Sequence, residues 1–455
     1  MKRIVTILLI SLLVFSDSHT VYAAKARKDN PSNTVWPKGP SVTSDAAIIM
    51  DANTGLILYE KNIHKRFYPA SITKILTTLL AIENCSLNEI VTFSRTAIFG
   101  IERDSSHIGI DVGEKLTVEQ CLYGIMLESA NEVAYGIAEH VAGNMKSFAD
   151  LMNQKAKELG CKDSHFVNSN GLHNDKHYTS AYDMALISKA AISNSTFRKV
   201  TSTVSYVIPP TNIQKESRYL TNHHKMLRST CYHYDGCIGG KTGYTTISKN
   251  TLVTFAKKGD LELICVVMHS DPVHQYTDTA ELLDFGFNNY TAYNLSEQTG
   301  TALSDNTPFF TRYNTLFDKQ NTPLQTSTKG IVVLPNSANI KDVTKSINYS
   351  NKTGDSKDNT VIGSITYTYK GKTVGTSDIT YDSTKTKTLL IDQNQNKTTN
   401  KYDTLDANKH LKLFIIICIS SIVCLSFIAY YILVVRARRR NSAYFRKSRT
   451  SNRYY

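Results

Sequence analysis

The sequence predicts an α/β (α+β) domain in which a single sheet is built from both ends of the segment. Two short apolar runs, 46–50 and 56–59, flank the polar stretch 51–55, which ends in a glycine and is typical of a β-hairpin. Helical periodicity dominates the middle of the segment, and strand patterns return near its end. We therefore expect the early and late strands to share one sheet, with the helices packed on it.

The helical middle has apolar residues at helical spacing in four stretches: 72–82, 118–141, 148–159 and 181–191. Two late strands follow at 250–256 and 261–268, and they flank a second hairpin turn at 257–260. These are the late strands of the predicted sheet.

A smaller all-β domain is predicted for residues 297–391. Polar residues alternate there with Val and Ile, most clearly at 361–369 and 373–381, with Lys370-Gly371-Lys372 between the two runs. Two polar segments, 24–40 and 392–411, are predicted to be a linker before the first domain and a spacer after the second.

Both ends of the chain predict export and membrane attachment. Lys2 and Arg3 precede a short apolar run, and Val21-Tyr22-Ala23 supplies a small-residue cleavage pattern, so residues 1–23 are predicted to be a cleaved signal peptide. An uncleaved anchor is the alternative, but the apolar run at 4–15 is too short to span a bilayer.

Near the other end, residues 413–435 contain no charged residue, which predicts a transmembrane helix at 412–435. A buried core helix is the alternative reading, and the arginines that follow at once argue against it. Since basic residues mark the cytoplasmic side, residues 436–455 are predicted to be a cytoplasmic tail, with the large domains outside the cell membrane.

The charge distribution follows this topology. The formal net charge is +13; the tail contributes +8 and residues 1–23 contribute +1, so +4 remains for the rest of the chain. The basic tail favours anionic lipid headgroups, and the sequence does not indicate a nucleic-acid partner. A hydrophobic fraction of 41% with 20% charged residues excludes a disordered chain.

The cysteines indicate neither a redox motif nor a zinc knuckle, because no Cys-x-x-Cys occurs. Cys418 and Cys424 lie in the predicted membrane helix, and the other six are spread through the first domain. Cys231 and Cys237 are near enough in sequence to pair, and export would permit it, but the sequence leaves this open. No His-Glu-x-x-His is present, and no metal or cofactor is predicted.

One segment has the pattern of an activated nucleophile. Ser71-Ile72-Thr73-Lys74 is the only Ser-x-x-Lys in the chain, and it opens an apolar helix after Pro69-Ala70. One helical turn places Ser71 and Lys74 on the same face, where a neutral lysine can take the proton of the serine. The alternative is a serine that only begins a helix, with a solvated lysine below it.

Two further motifs gain meaning from their positions. Ser129-Ala130-Asn131 interrupts a helical stretch and could project into a cleft, whereas other Ser-x-Asn triplets lie elsewhere in the chain. Lys241-Thr242-Gly243 follows two glycines and leads to a strand, where a ligand could approach the backbone closely. A second Lys-Thr-Gly, at 352–354, lies in a polar run typical of a surface turn.

In combination the three motifs resemble those of the penicillin-recognising serine enzymes, which include penicillin-binding proteins and class A β-lactamases. They occur in the order Ser-x-x-Lys, Ser-x-Asn, Lys-Thr-Gly, and their first residues are 58 and then 112 positions apart. The segments 68–74, 139–143, 170–173 and 282–287 resemble the low-molecular-mass serine D-alanyl-D-alanine carboxypeptidases of peptidase family S11. One departure is Ala130-Asn131-Glu132, where that family usually has Gly-Asn-Asp.

The resemblance implies a β-lactamase/penicillin-binding-protein-like transpeptidase fold for residues 41–292, with an antiparallel sheet and helices on both faces. Peptidoglycan stem peptides would be the substrate and β-lactam antibiotics the inhibitors. Ser71 would be acylated, and Lys74 would be the base, with a pKa lowered by burial and by the charge of Lys241. Ser129, held by Lys74 and Lys241, would relay a proton to the leaving amine.

The same resemblance assigns substrate binding to five residues. Asn131 would bond the substrate amide, and Lys241 and Thr242, on the strand with Gly243, would bind the terminal carboxylate. The backbone N–H groups of Ser71 and Tyr244 would form the oxyanion hole.

Other activities share these motifs. A D,D-endopeptidase has the same pattern, and a β-lactamase has the same fold, although the Glu-x-x-Leu-Asn of class A is absent between residues 131 and 241. A non-catalytic penicillin-binding wall protein is the alternative from another class, and the intact motif residues argue against it.

Overall fold

The computed structural model describes residues 36–102, 104–295, 324–326, 330–349 and 360–381. The chain divides into two compact units. The described part of the first comprises residues 36–102, 104–295, 330–346 and 365–377; that of the second comprises 324–326, 347–349, 360–364 and 378–381.

The strands up to residue 294 are β1 Ala46–Asp51, β2 Ile57–Lys61, β3 Ile90–Thr92, β4 Lys115–Thr117, β5 Ser205–Ile208, β6 Arg218–Thr221, β7 Cys237–Thr245, β8 Lys249–Lys258, β9 Leu261–Ser270 and β10 Tyr290–Asn294. The helices are α1 Lys74–Asn84, α2 Arg95–Phe99, α3 Val118–Leu127, α4 Asn131–Ala142, α5 Met145–Glu158, α6 Ala181–Ser193, α7 Ser195–Ser202 and α8 His274–Asn289. A single 3₁₀ turn, Ala70–Thr73, precedes α1.

Five of these strands form one antiparallel sheet in the order β2-β1-β9-β8-β7. The early strand β1 pairs with the late strand β9 along its whole length, from Ala46 opposite Met268 to Asp51 opposite Leu263. The prediction of one sheet built from both ends of the domain is therefore confirmed.

Side chains alternate between the two faces of the sheet, as the period of two along a strand requires. Ile48 and Met50 belong to the large core that the helices α1 and α3–α7 share. Ile49 points the other way, towards α8, where a Cβ on Gly286 would lie 3.6 Å from Ile49 Cγ2 and 2.6 Å from Leu263 Cδ1. Helices therefore cover both faces of the antiparallel sheet, as the resemblance implied.

The predicted helical stretch 118–141 consists of two helices. The first, α3, ends at Leu127, and α4 begins at Asn131. Between them Ser129 has a φ of +61°, which no α-helix contains. The periodicity continues across the break because both helices bury apolar residues in the same core.

A second sheet contains the later strands β11 Leu324–Thr326, β12 Ile331–Pro335, β13 Thr344–Tyr349, β14 Thr360–Tyr369 and β15 Lys372–Tyr381. Its order is β10-β12-β15-β14-β13, with β11 paired to β15. The predicted strands at 361–369 and 373–381 are confirmed. The limits of a small all-β domain at 297–391 stay a prediction.

The segments predicted to be a signal peptide, a spacer, a membrane helix and a cytoplasmic tail lie outside the described residues. No helix within the described residues is long and apolar enough to cross a membrane, and the segment 412–435 is not among them. The six described cysteines are free thiols, so Cys231 and Cys237 are not paired in this structure.

Candidate active site

Ser71 lies in the short turn that leads into α1. Its neighbour Ala70 has a φ of +50°, a strained conformation for a residue with a Cβ. The turn is held from the sheet, where Thr251 Oγ1 donates to Pro69 O at 2.8 Å. Strain of this kind persists only where the surroundings enforce it, and it is typical of functional sites.

Strand β7 approaches this turn very closely. A Cβ on Gly243 would lie 2.8 Å from Ser71 N and 2.4 Å from Thr251 Oγ1. Only glycine fits this gap, so the Lys-Thr-Gly motif ends in the residue that lets the strand lie against the nucleophile turn.

Lys74 is fully buried, and its Nζ has three close polar neighbours. It lies 3.0 Å from Ser71 Oγ, 2.6 Å from Asn131 Oδ1 and 2.6 Å from the backbone oxygen of Asn170. A neutral amine has two N–H groups and one lone pair. Since the two amide oxygens can only accept, they take both hydrogens, and the lone pair is left to accept the hydroxyl proton of Ser71.

The environment favours that neutral form. Burial lowers the pKa of Lys74 well below its usual value, the charge of Lys241 lowers it further, and Glu132 opposes both effects. The two causes expected from the sequence are therefore confirmed. Lowering the pKa of a lysine makes it better suited to act as a general base.

Ser129 is buried, and its Oγ has no hydrogen-bond partner among the described residues. The expectation that Lys74 and Lys241 hold it is wrong for this structure. Lys74 is committed to the three partners given above, and Lys241 Nζ donates to Thr242 O at 2.9 Å. Leaving a buried hydroxyl without a partner costs about 1–3 kcal/mol of folding free energy. Ser129 lines the cavity, where a group of the substrate could pair with it.

Glu132, at the position where the family usually has Asp, has a local packing role. Glu132 Oε1 accepts a hydrogen bond from Ile108 N at 2.7 Å, and Asn131 N donates to Ser106 O at 2.8 Å. The start of α4 is thus tied to the segment 106–108. Burial raises the pKa of Glu132.

Lys241 is also buried, on strand β7 opposite Val253. Burial lowers its pKa to about 7, and the charge of Glu128 opposes the shift. Lys241 is therefore poised to gain a proton when an anion binds near it.

The loop before residue 173 supplies a contact that sequence reasoning missed. Thr77 Oγ1 donates to Ser169 O at 2.6 Å, which fixes this loop against α1 and directs Asn170 O at Lys74. Gly171 has a φ of +86°, and a Cβ there would lie 1.8 Å from Ala70 O. The resemblance singled out 170–173, but no residue type reveals that a backbone carbonyl orients the base.

A cavity of about 540 Å³ opens over these groups. Six of the eight predicted site residues line it: Ser71, Ser129, Asn131, Thr242, Gly243 and Tyr244. The two lysines are buried beside them, so the structure brings all three motifs together. The second Lys-Thr-Gly, at 352–354, lies outside the described residues.

A sequence model of the peptidase S11 family, described as D-alanyl-D-alanine carboxypeptidase, matches residues 33–272. The chain belongs to this family. Its match covers β1 to β9 and therefore all three motifs.

Curated relatives extend the likeness in sequence. The D-alanyl-D-alanine carboxypeptidase DacF of Bacillus subtilis is 33% identical over 304 residues, which are 66% of this chain and 75% of DacF. DacC of Escherichia coli is 28% identical over 355 residues, 74% of this chain and 83% of DacC.

Solved structures of the same type match the S11 domain. The Streptomyces K15 DD-transpeptidase aligns with a TM-score of 0.51 at 31% identity and covers 55% of this chain and 100% of its own. A D-alanyl-D-alanine carboxypeptidase from Mycobacterium tuberculosis H37Rv gives a TM-score of 0.51 at 27% identity, with 57% and 96% coverage. The mixed α/β fold with an antiparallel sheet is the fold of these peptidases.

Proposed function

We propose that this chain is a serine D-alanyl-D-alanine carboxypeptidase that removes the terminal D-alanine of peptidoglycan stem pentapeptides. The observation that carries the proposal is the buried Lys74 amine, which has two carbonyl acceptors and Ser71 Oγ 3.0 Å away. Membership of the S11 family supports the same activity.

In the first step Lys74 takes the proton of Ser71, whose Oγ attacks the carbonyl carbon between the two D-alanines. The Ser71 N–H lies at the gap between the turn and Gly243, and with the Tyr244 N–H it would stabilise the oxyanion. Acylation forms a Ser71 ester and breaks the peptide bond. β-Lactams would acylate the same oxygen.

The terminal carboxylate would bind at Thr242, with Lys241 as its cation. Because the pKa of Lys241 is about 7 in the free protein, an approaching carboxylate raises it and keeps the ammonium charged. A substrate without a free C-terminus would not gain this interaction, which explains selection for terminal D-alanine.

The leaving D-alanine needs a proton on its amine. Ser129 lines the cavity, and its buried Oγ is unpaired among the described residues, so we assign it the transfer of a proton from the Lys74 ammonium to the departing nitrogen. Asn131 would bond the substrate amide through its Nδ2, since its Oδ1 accepts from Lys74. Water then hydrolyses the Ser71 ester, with Lys74 again as the base.

The localisation that we propose rests on the sequence. A cleaved signal peptide and a membrane helix at 412–435 would place the catalytic domain outside the cell membrane, with the basic tail inside. This position gives the domain access to peptidoglycan.

The test is release of D-alanine from a synthetic stem pentapeptide by the full-length chain. Wild type should release one D-alanine per peptide, and Ser71→Ala should release none above background. Ser105→Ala, a change to another cavity serine that carries no proposed chemistry, is the matched control. Release by Ser71→Ala at the wild-type rate would contradict the proposal.

A further inference from the structure

A group of potential metal ligands lies away from the active site. The side-chain ligand atoms of Cys85, Glu89 and His140 all lie within 4.8 Å of one another. Glu89 Oε2 is 3.1 Å from His140 Nε2, and both side chains are partly accessible to solvent. A thiol, a carboxylate and an imidazole together form a donor set that proteins use for Zn²⁺.

The spacing fits a tetrahedral ion after small side-chain rotations. Zn²⁺ lies about 2.3 Å from sulfur and about 2.0–2.2 Å from nitrogen or oxygen, so its ligand atoms are roughly 3.4–3.6 Å apart. The Glu89–His140 distance of 3.1 Å is already near this separation.

The Glu89 carboxylate is also oriented by a hydrogen bond to its other oxygen. Glu89 Oε1 accepts a hydrogen bond from Ser86 N at 2.5 Å, which leaves Oε2 directed at His140. A hydrogen bond of this kind orients a metal ligand without using its free oxygen. The neighbouring Glu139 is engaged elsewhere, with Ser94 Oγ.

The electrostatic setting favours a cation. Cys85 is the C-cap of α1, and His140 lies in the last turn of α4, so two helix C-termini meet at the cluster. Backbone carbonyls at a helix C-terminus carry partial negative charge. A thiolate and a carboxylate would balance the two charges of Zn²⁺.

We propose that Cys85, Glu89 and His140 bind one Zn²⁺ ion, with water as the fourth ligand. The Cys85 thiol forms the Zn–S bond and loses its proton to solvent. Cys and His donors favour Zn²⁺ over Mg²⁺ or Ca²⁺, which prefer oxygen.

The ion would join the same two helices that carry the catalytic lysine and its partner. Lys74 begins α1 and Asn131 begins α4, and their side chains are hydrogen-bonded at 2.6 Å. Cys85 follows Lys74 by 11 residues and His140 follows Asn131 by 9, so the cluster lies about 14–17 Å from that bond along the helix axes. Zinc would link the C-terminal ends of α1 and α4 and so help to keep Lys74 and Asn131, at their N-terminal ends, within hydrogen-bonding distance.

The first test measures zinc bound to the full-length chain after metal is stripped with a chelator and restored with zinc sulfate. Cys85→Ser and Glu89→Gln should each bind one Zn²⁺ fewer per chain than wild type by elemental mass spectrometry. Glu89→Gln is the conservative variant, since it keeps the side-chain volume at a partly exposed position. Wild-type zinc content in either variant would overturn the site.

The matched controls are Cys231→Ser, at an exposed free thiol, and His64→Gln, at an exposed histidine 3.3 Å from Asp163. Both should keep the wild-type zinc content; a loss in either control equal to that in Cys85→Ser would also overturn the assignment.

Cobalt gives an independent measurement of the same site. Co²⁺ bound to wild type should show a thiolate-to-metal charge-transfer band, which Cys85→Ser lacks and Cys231→Ser retains. Zinc should also raise the Tm of wild type and leave that of Cys85→Ser unchanged. A wild-type protein that binds Co²⁺ without the thiolate band would refute ligation by Cys85.

Discussion

Gly171 provides the sharpest test of how the base is oriented. A Cβ at this position would lie 1.8 Å from Ala70 O and 2.4 Å from Ala70 C, so Gly171→Ala must displace the loop. That loop supplies Asn170 O, one of the two acceptors of the Lys74 hydrogens. Its displacement would free Lys74 to rotate its lone pair away from Ser71.

The magnitude follows from the lost contact. Loss of a buried hydrogen bond with a group left unpaired costs about 1–3 kcal/mol. At about 1.4 kcal/mol for each tenfold change in rate, acylation by penicillin should slow by roughly 5- to 150-fold. The rate constant for labelling with fluorescent penicillin, normalised to the folded fraction, measures this.

Gly160→Ala is the matched control. Gly160 has the same φ of +86°, but a Cβ there would meet no heavy atom within 4 Å. Both variants carry the left-handed strain of about 1–2 kcal/mol, visible in urea unfolding. If Gly171→Ala acylated as fast as Gly160→Ala, the loop would not orient Lys74 and this part of the mechanism would be refuted.

Three further predictions concern Lys241 and topology. Lys241→Ala should lower turnover of a D-Ala-D-Ala peptide more than tenfold, since loss of a buried carboxylate partner costs about 2–5 kcal/mol. Lys352→Ala should leave turnover unchanged. Equal effects of the two substitutions would contradict the assignment of substrate binding to the Lys-Thr-Gly at 241–243. The pKa of Lys241 is about 7 in the folded protein, below the ordinary lysine value of 10.5 expected for the unfolded chain. The unfolded chain therefore binds more protons, so stability rises with pH. Between pH 7 and 9 wild type should gain about 2 kcal/mol in urea unfolding relative to Lys241→Met; an equal pH dependence would contradict the lowered pKa. Truncation before Lys412 should release an active, soluble protein, and external protease acting on protoplasts should spare a tag at Tyr455; digestion of that tag would reverse the proposed orientation.

The sheet was predictable from the sequence because turns and strands are recognised from short stretches of residues. The hairpin turns at 51–55 and 257–260 and the apolar strands beside them each fix their own conformation, and the shared core brings β1 to β9. The break at Ser129 was visible only as a polar interruption. Its φ of +61° is imposed by surrounding structure that periodicity does not record.

The site was predictable where side-chain type carries the chemistry. Ser71 and Lys74 are one helical turn apart, so their contact follows from spacing alone. Asn170 contributes a backbone oxygen. Because every residue has one, the sequence contains no signal for this contact. The sequence also contains no signal for the proposed zinc site, because His140 is 51 positions from Glu89 and no paired-cysteine motif is present.

The unpaired hydroxyl of Ser129 shows a different limit. The family resemblance implied that Ser129 contacts both lysines. In the structure Lys74 Nζ instead hydrogen-bonds to Asn131 Oδ1 and to the backbone oxygen of Asn170, and Ser129 Oγ has no partner among the described residues. Since Lys74 has no free N–H in its neutral form, Ser129 can pair with it only after the amine is protonated. The proton relay would therefore form during the reaction.

The mechanism requires that Ser71 becomes acylated with Lys74 as its base. Full-length protein should be trapped with penicillin, digested and examined by mass spectrometry. We expect one penicilloyl group, on the peptide that contains Ser71, and no label in Ser71→Ala. Labelling should be much slower in Lys74→Met, which keeps the buried volume without the amine. Label on another serine, or full-rate labelling of Lys74→Met, would contradict it.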